Sequence, residues 1–251
     1  MITSLHQLRK AAFYAFCLIL SVVTTGPLRA DDSIKVNIEN FARVETAFQF
    51  DRFHAIAGGV NKWFHNRVPT PLDKQNVIRM NRDTLYSFAL VDISEGATLT
   101  MPDAGDRYMS VMVVNEDQYI NNIYHGAGTY KLTVDEFDTP YVLLACRTLA
   151  DPTNSDDLHH ANKLQDELQV NAKSAKSYHH PNYDQTSYEA TYKPLLALAT
   201  GLTDSKFMFG KREEVSPVRY IIGAASGWGG LPTYEAMYQD QNKPKPAGEY
   251  R

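Results

Sequence analysis

Between Asn76 and Leu149 the chain breaks into short runs of β-branched and aromatic residues, each closed by turn residues, and that grammar belongs to antiparallel strands. It predicts strands over Thr84–Ile93, Thr98–Met101, Tyr108–Asn115, Tyr119–Tyr124, Thr129–Val134 and Pro140–Thr148. The punctuation is Ser94-Glu95-Gly96, Pro102 to Asp106, Gly126-Ala127-Gly128 and Asp135 to Asp138, all of it turn chemistry.

Helical periodicity flanks the strands. Asn37–Ala57 reads as a helix capped by Asn37 or Asn40, with apolar residues on more than one face, so it is expected to pack on several sides. Its continuous polar stripe is Glu45, Gln49 and Arg52. Val60–His65 is expected to continue helically before Pro69 and Pro71 force an extended crossing. Downstream, Asp156–Ala172 and Tyr188–Leu202 carry leucines on one face, and Ser216-Pro217 is a cap and first-turn proline ahead of Val218–Ala225. Strands together and helices together give the α+β class. The expected core is an antiparallel β-sandwich or jelly-roll-like unit, with an N-terminal helix and a C-terminal helical segment.

The two ends read differently from the middle. Arg9-Lys10, an apolar run from Ala11 to Val23 and a small-residue site before Asp31-Asp32 form a secretory signal over residues 1–30. The run falls short of the ~20 residues of a membrane span, and no other segment is long and apolar enough to make one. Removing the signal takes away Arg9, Lys10 and Arg29 but no acid, so 25 basic residues become 22 against 29 acidic ones, a net charge of −7. With no basic cluster, this balance excludes a nucleic-acid partner, whose phosphates need a basic stripe. Cys146 is left as the single cysteine, so no intrachain disulfide forms. The domain organisation expected is a signal at 1–30, one α+β domain at 31–241, and at 242–251 a proline-lysine linker with the stub of an absent second domain.

Chemistry concentrates in two polar strings at strand entrances: Met80-Asn81-Arg82-Asp83-Thr84-Leu85-Tyr86 and Asp106-Arg107-Tyr108. Arg82 beside Asp83, and Arg107 beside Asp106, could hold a carboxylate or sugar through guanidinium forks, with Asn81, Tyr86 and Tyr108 as hydrogen-bonding groups. The alternative is that these are ion pairs pinning strand ends. His125, next to the Gly126–Gly128 turn, is a candidate acid or base.

Other chemistry-bearing residues carry less. His159-His160 are adjacent on a helix and diverge by about a quarter-turn, and His179-His180 sit in a loop, so neither pair chelates a metal. Cys146 alternates with Val142 and Leu144, which makes it a core thiol. Ser226 follows a helix and lacks the glycine two residues earlier, so it is no hydrolase elbow, and the same glycines fail the dinucleotide pattern because no strand precedes them. No cofactor and no metal is expected.

The run from Asp73 through Met80-Asn81-Arg82-Asp83-Thr84-Leu85-Tyr86 to Ser87 resembles the signature of a bacterial family known as domain of unknown function 1254. Gly126-Ala127-Gly128, Arg147-Thr148 with Asp151-Pro152, Ala161-Asn162 with Leu164-Gln165-Asp166, and Gly223-Ala224-Ala225 with Gly227-Trp228-Gly229-Gly230 follow in the family's order. The resemblance implies an exported or envelope protein whose first domain is a mainly β unit with helices. It carries no settled reaction and no catalytic residues. Members of this type continue past the tryptophan motif into a second, β-rich domain, whose first strand would start near Gly248-Glu249-Tyr250, where this sequence stops.

Three readings stay open. The first is a periplasmic or secreted protein that recognises a small polar ligand or glycan through Arg82, Asp83, Tyr86 and their neighbours. The second is a cofactor-free hydrolase or isomerase using Tyr86 or His125 with Asp83. The third is a structural or assembly module that pairs with a second domain or self-associates. Convergence of the polar strings in one pocket favours the first two, and scattered strand-end pairs favour the third.

Overall fold

The structure is a computed structural model that describes residues 33–70, 81–236 and 238. The signal, the first part of the 73–87 motif and the 242–251 linker therefore lie outside the described residues. The elements below all belong to one unit beginning at Ile34. In chain order they are α1 (Phe41–Ala57), β1 (Phe64–His65), β2 (Thr84–Asp92), β3 (Ala97–Met101), β4 (Met109–Asn115), β5 (Ile120–His125), β6 (Gly128–Leu132), α2 (Val134–Phe137), β7 (Tyr141–Leu149), α3 (Ser155–Asp166), β8 (Gln169–Ala172), α4 (Gln185–Ala199) and α5 (Pro217–Gly227).

Two antiparallel sheets form, one of five strands in the order β1-β2-β7-β4-β5 and one of three in the order β6-β3-β8. Their inner faces make the sandwich expected from the strand grammar. Ala89, Val91, Val111, Val113, Val142, Leu144 and Cys146 of the larger sheet meet Ala97, Leu99, Met101 and Leu132 of the smaller. β3 alternates in and out, as a strand with one wet face must. All seven residues of β4 are buried, because helices cover the second face of the larger sheet. There Leu90, Met112, Val114, Leu143 and Ala145 pack against Phe50 of α1 and against Met208, Phe209 and Leu231. The chain passes from the large sheet to the small one at Gly96 (φ +85°) and at the Gly126-Ala127 turn (Gly126 φ +81°), where turn residues were expected.

α1 is packed on several sides, as its scattered apolar residues foretold. Phe41 and Val44 face α4 and α5, and Phe50 faces the sheet. Glu45, the head of the polar stripe, is buried and accepts from Gln49 Nε2 (2.8 Å) and Tyr188 Oη (2.6 Å), so that end of the stripe faces α4 while Arg52 at the other end is exposed. Asn40 occupies the cap position, yet its side chain accepts from Asn37 N and donates to the Lys35 carbonyl instead of capping the helix.

Three local expectations are corrected. Val60–His65 is a turn leading into β1, whose Phe64 and His65 pair with Phe88 and Ser87. The helix expected to run to Ala172 ends at Asp166, and Gln169–Ala172 pairs with β3 instead. Asp135–Asp138, read as a turn, lies mostly within α2, whose start Thr133 caps by accepting from the Glu136 N–H. Among the described residues no helix is long and apolar enough to cross a membrane.

Candidate functional site

Residues directly opposed in an antiparallel pair share a face, and strand register alone builds a polar row across the larger sheet. Tyr86 of β2 stands opposite Arg147 of β7, Arg147 opposite Ser110 of β4, and Ser110 opposite His125 of β5. Two residues further along the same strands, the row on that face becomes Phe88, Ala145, Met112 and Ile123, which are core. The polar row is thus where the apolar, helix-covered face gives way to the sheet end. Tyr108 extends it, its hydroxyl 2.9 Å from Ser110 Oγ and its ring edge-on to His125. His125 Nε2 lies 3.0 Å from Oε1 of Glu235, which reaches in from the segment after α5.

Beside this row lies a pocket of about 230 Å³. Its floor is Met112, Leu143 and Ala145, and its walls are Tyr86 and Phe88 from β2, Gln49 and Phe53 from α1, Arg147, and Trp228-Gly229 beyond α5. The rings form a continuous lining: Tyr86 and Phe88 are parallel with centroids 6.0 Å apart, Phe88 and Phe53 are 4.4 Å apart, and Phe53 and Trp228 6.3 Å apart. Trp228 is fixed by a hydrogen bond from its Nε1 to Thr46 Oγ1 (2.9 Å), and Thr46 Oγ1 in turn donates to the Ala42 carbonyl. Gly230 makes this arrangement possible, since a Cβ there would fall 2.3 Å from the Phe209 ring.

Arg147 is the cation of the pocket. Its guanidinium carbon lies 5.5 Å from the Tyr86 ring centroid, a cation–π contact. Its Nη1 is shut away from solvent with no hydrogen-bond partner. A buried donor left without an acceptor costs ~1–3 kcal/mol, more on a charged group.

The sequence candidates divide between two places. Tyr86, Tyr108 and His125 belong to the polar row. Asp83 and Arg107 line a separate, wider cleft of about 540 Å³ with Asp151, Pro152 and Asp157, so Asp83 and Tyr86 line different clefts. Arg107 does not turn to its neighbour Asp106, which is exposed. It forks Asp157 at the start of α3 (Nη1 to Oδ2 3.0 Å, Nη2 to Oδ1 2.5 Å) and donates to the Leu149 carbonyl. That fork holds the Asp157 carboxyl down at about 2, helped by the Asp151 N–H. Asn81 is exposed and turned inward on its own strand entrance, donating to Thr84 Oγ1 and accepting from the Asp83 N–H. Arg82 is half-buried with Nε lacking a partner. The polar strings therefore do not meet in one pocket.

Arg147, Ser110 and Glu235 were not singled out as site residues from sequence. The signal for Arg147 was present: in Tyr141–Arg147 the alternation that sends Val142, Leu144 and Cys146 to one face sends Leu143, Ala145 and Arg147 to the other. Glu235 had no such signal, because its place depends on where the segment after α5 returns. Cys146 is fully buried, and burial pushes its thiol up to about 12. Among the described residues no group of three or more His, Cys, Asp or Glu side chains is placed to hold a metal ion.

The architecture defines a class first: an α+β sandwich of five- and three-stranded antiparallel sheets with helices laid over the outer face of the larger sheet. Comparison then narrows it. The model of a family described as a protein of unknown function (DUF1254) matches residues 60–172, the stretch that holds the eight described strands. The crystal structure of the VPA0106 protein from Vibrio parahaemolyticus is similar in fold, with a TM-score of 0.57 and 14% identity over 79% of this chain and 69% of that one. At that identity the likeness concerns the fold alone. No curated protein matches the chain.

Proposed function

We propose that this chain is an exported member of the DUF1254 family that works by binding a small polar ligand in the pocket between α1, the β2–β7 pair and Trp228. The observation that carries the reading is that Arg147, the one charged residue among those lining this pocket, stands with Gln49 in a lining otherwise made of aromatic and aliphatic residues. Ligand sites have this composition, an apolar cavity with a few placed polar groups that orient the occupant. Both terminal nitrogens of Arg107, by contrast, are engaged by Asp157 and the Leu149 carbonyl, which makes the wider cleft the poorer candidate. Export, to the periplasm or outside the cell, is supported by the Arg9-Lys10 and Ala11–Val23 pattern.

The test is a thermal-shift screen of the exported protein against metabolites and glycans, followed by titration calorimetry on the hits. A ligand that raises Tm in the wild type and loses its effect in Arg147→Met is the expected result, since binding to the folded state alone stabilises it by mass action. A library with no hits, or hits that bind Arg147→Met as well as wild type, would overturn the assignment.

A further inference from the structure

We propose, resting on the ligand-binding reading above, that the occupant of this pocket is a planar carboxylate, an aromatic or conjugated acid of about one ring, held by its carboxylate on Arg147 and by its ring among Tyr86, Phe88, Phe53 and Trp228. The chemistry of the walls selects it. A sugar presents hydroxyls around its whole edge and needs several side-chain donors and acceptors, whereas the polar side chains here are Arg147, Gln49 and the Tyr86 hydroxyl. Two of those three sit together, with Arg147 over the Tyr86 ring, so charge recognition is confined to one end. The rest of the lining is rings and aliphatic strand residues, which favour an apolar flat body offset-stacked or edge-on against them.

Size and rigidity agree with that body. A cavity of about 230 Å³ takes a single substituted ring and leaves no room for a second of the same bulk. The aromatic wall is set before the ligand arrives, because Trp228 is tied to Thr46 and its ring lies tilted beside Phe53 of α1. A preformed slot loses little conformational entropy on binding. Guanidinium suits the anion because its planar fork matches a carboxylate through two parallel hydrogen bonds, and Arg147 is the one charged residue in the lining.

The experiment titrates the exported protein with benzoate and cinnamate, their neutral amides, cyclohexanecarboxylate and glucuronate, read by calorimetry and by tryptophan fluorescence. Benzoate or cinnamate is expected to bind, with the amide weaker by about tenfold or more, because a charge-assisted fork is lost. Arg147→Met should remove this preference for the acid and Arg147→Lys should keep part of it. Trp228→Phe should keep the acid preference while altering the fluorescence response. Circular dichroism certifies that each variant is folded, and if Arg147→Met does not fold, the comparison of acid with amide in the wild type decides alone. Equal binding of acid and amide, or of the ring acid and glucuronate, would overturn the planar-acid inference. If some other ligand binds with dependence on Arg147, the pocket stands and only its class was misjudged. If nothing in either screen binds, both fall.

Discussion

Arg107 directs both terminal nitrogens at Asp157 and one also at the Leu149 carbonyl, whereas Arg147 has a terminal nitrogen with nothing to bind. The difference follows from what each meets. Arg107 comes off a loop beside the first turn of α3, where Asp157 sits with its N–H capped by Asn154, while Arg147 projects from a strand into the covered face of a sheet. The Arg107–Asp157 pair is therefore a brace, and its contribution should depend on pH. The Asp157 carboxyl is held below its ordinary 3.8 at about 2, so the folded state favours the ionised form. That stability is complete above the ordinary carboxylate range and is lost as pH falls through about 2. Asp157→Asn should thus lower stability by ~1 kcal/mol near neutral pH, the size expected for a partly exposed pair, and by progressively less as acid protonates the wild-type carboxyl. Urea denaturation of both proteins across the acid range measures this, and a gap that persists undiminished near pH 2 would contradict it. At this scale the sequence displayed the charged residues but not their partners. Asp106 is next to Arg107 in the chain, yet Asp157, fifty residues later, forms the fork.

Among elements, the strands were the legible part. Their alternation and turn residues depend on neighbours in the chain, and the six runs read from sequence each overlap one of β2 to β7, with ends that agree to within two residues. The misread pieces are those whose state is decided by a distant partner. β1 is two residues long and exists because Phe64 and His65 meet β2. Gln169–Ala172 follows a helix and takes extended form because β3 offers an open edge. α2 had a local signal, the Thr133-x-x-Glu136 cap, masked by the turn-forming acids around it. The join after α5 is the most exacting in the fold, since Gly230 runs against the Phe209 ring with space for a hydrogen only. Gly230→Ala should cost ~1–3 kcal/mol through overpacking and should loosen Trp228 with it. Chemical denaturation followed by tryptophan fluorescence reads both effects, and an alanine variant as stable as wild type would show that Phe209 can move aside.

For the molecule as a whole, β7 lies between β2 and β4 in the larger sheet, with the smaller sheet on one face and the helices on the other. Cys146 at its centre reports on both layers. Its thiol is fully buried and pushed up to about 12, so a thiol reagent reaches it only when the layers separate. Leu144→Ala, two residues away in the same core, should destabilise the protein by ~2–5 kcal/mol and speed Cys146 labelling by the matching factor. Rapid labelling of the folded wild type, or a labelling rate that ignores the Leu144 change, would refute this coupling. Local sequence was enough for the class of fold, strands β2 to β7 and the burial of Cys146. Each follows from alternation and turn chemistry, and those are properties of residues a few positions apart. The tertiary structure alone decided the pocket. Arg147, Trp228, Phe53 and Tyr86 come from four separate elements, and only strand register and the packing of α1 and the Trp228 segment on the sheet bring them to one cavity. Contacts between residues so far apart leave no periodic trace in the chain, so no local pattern could announce them.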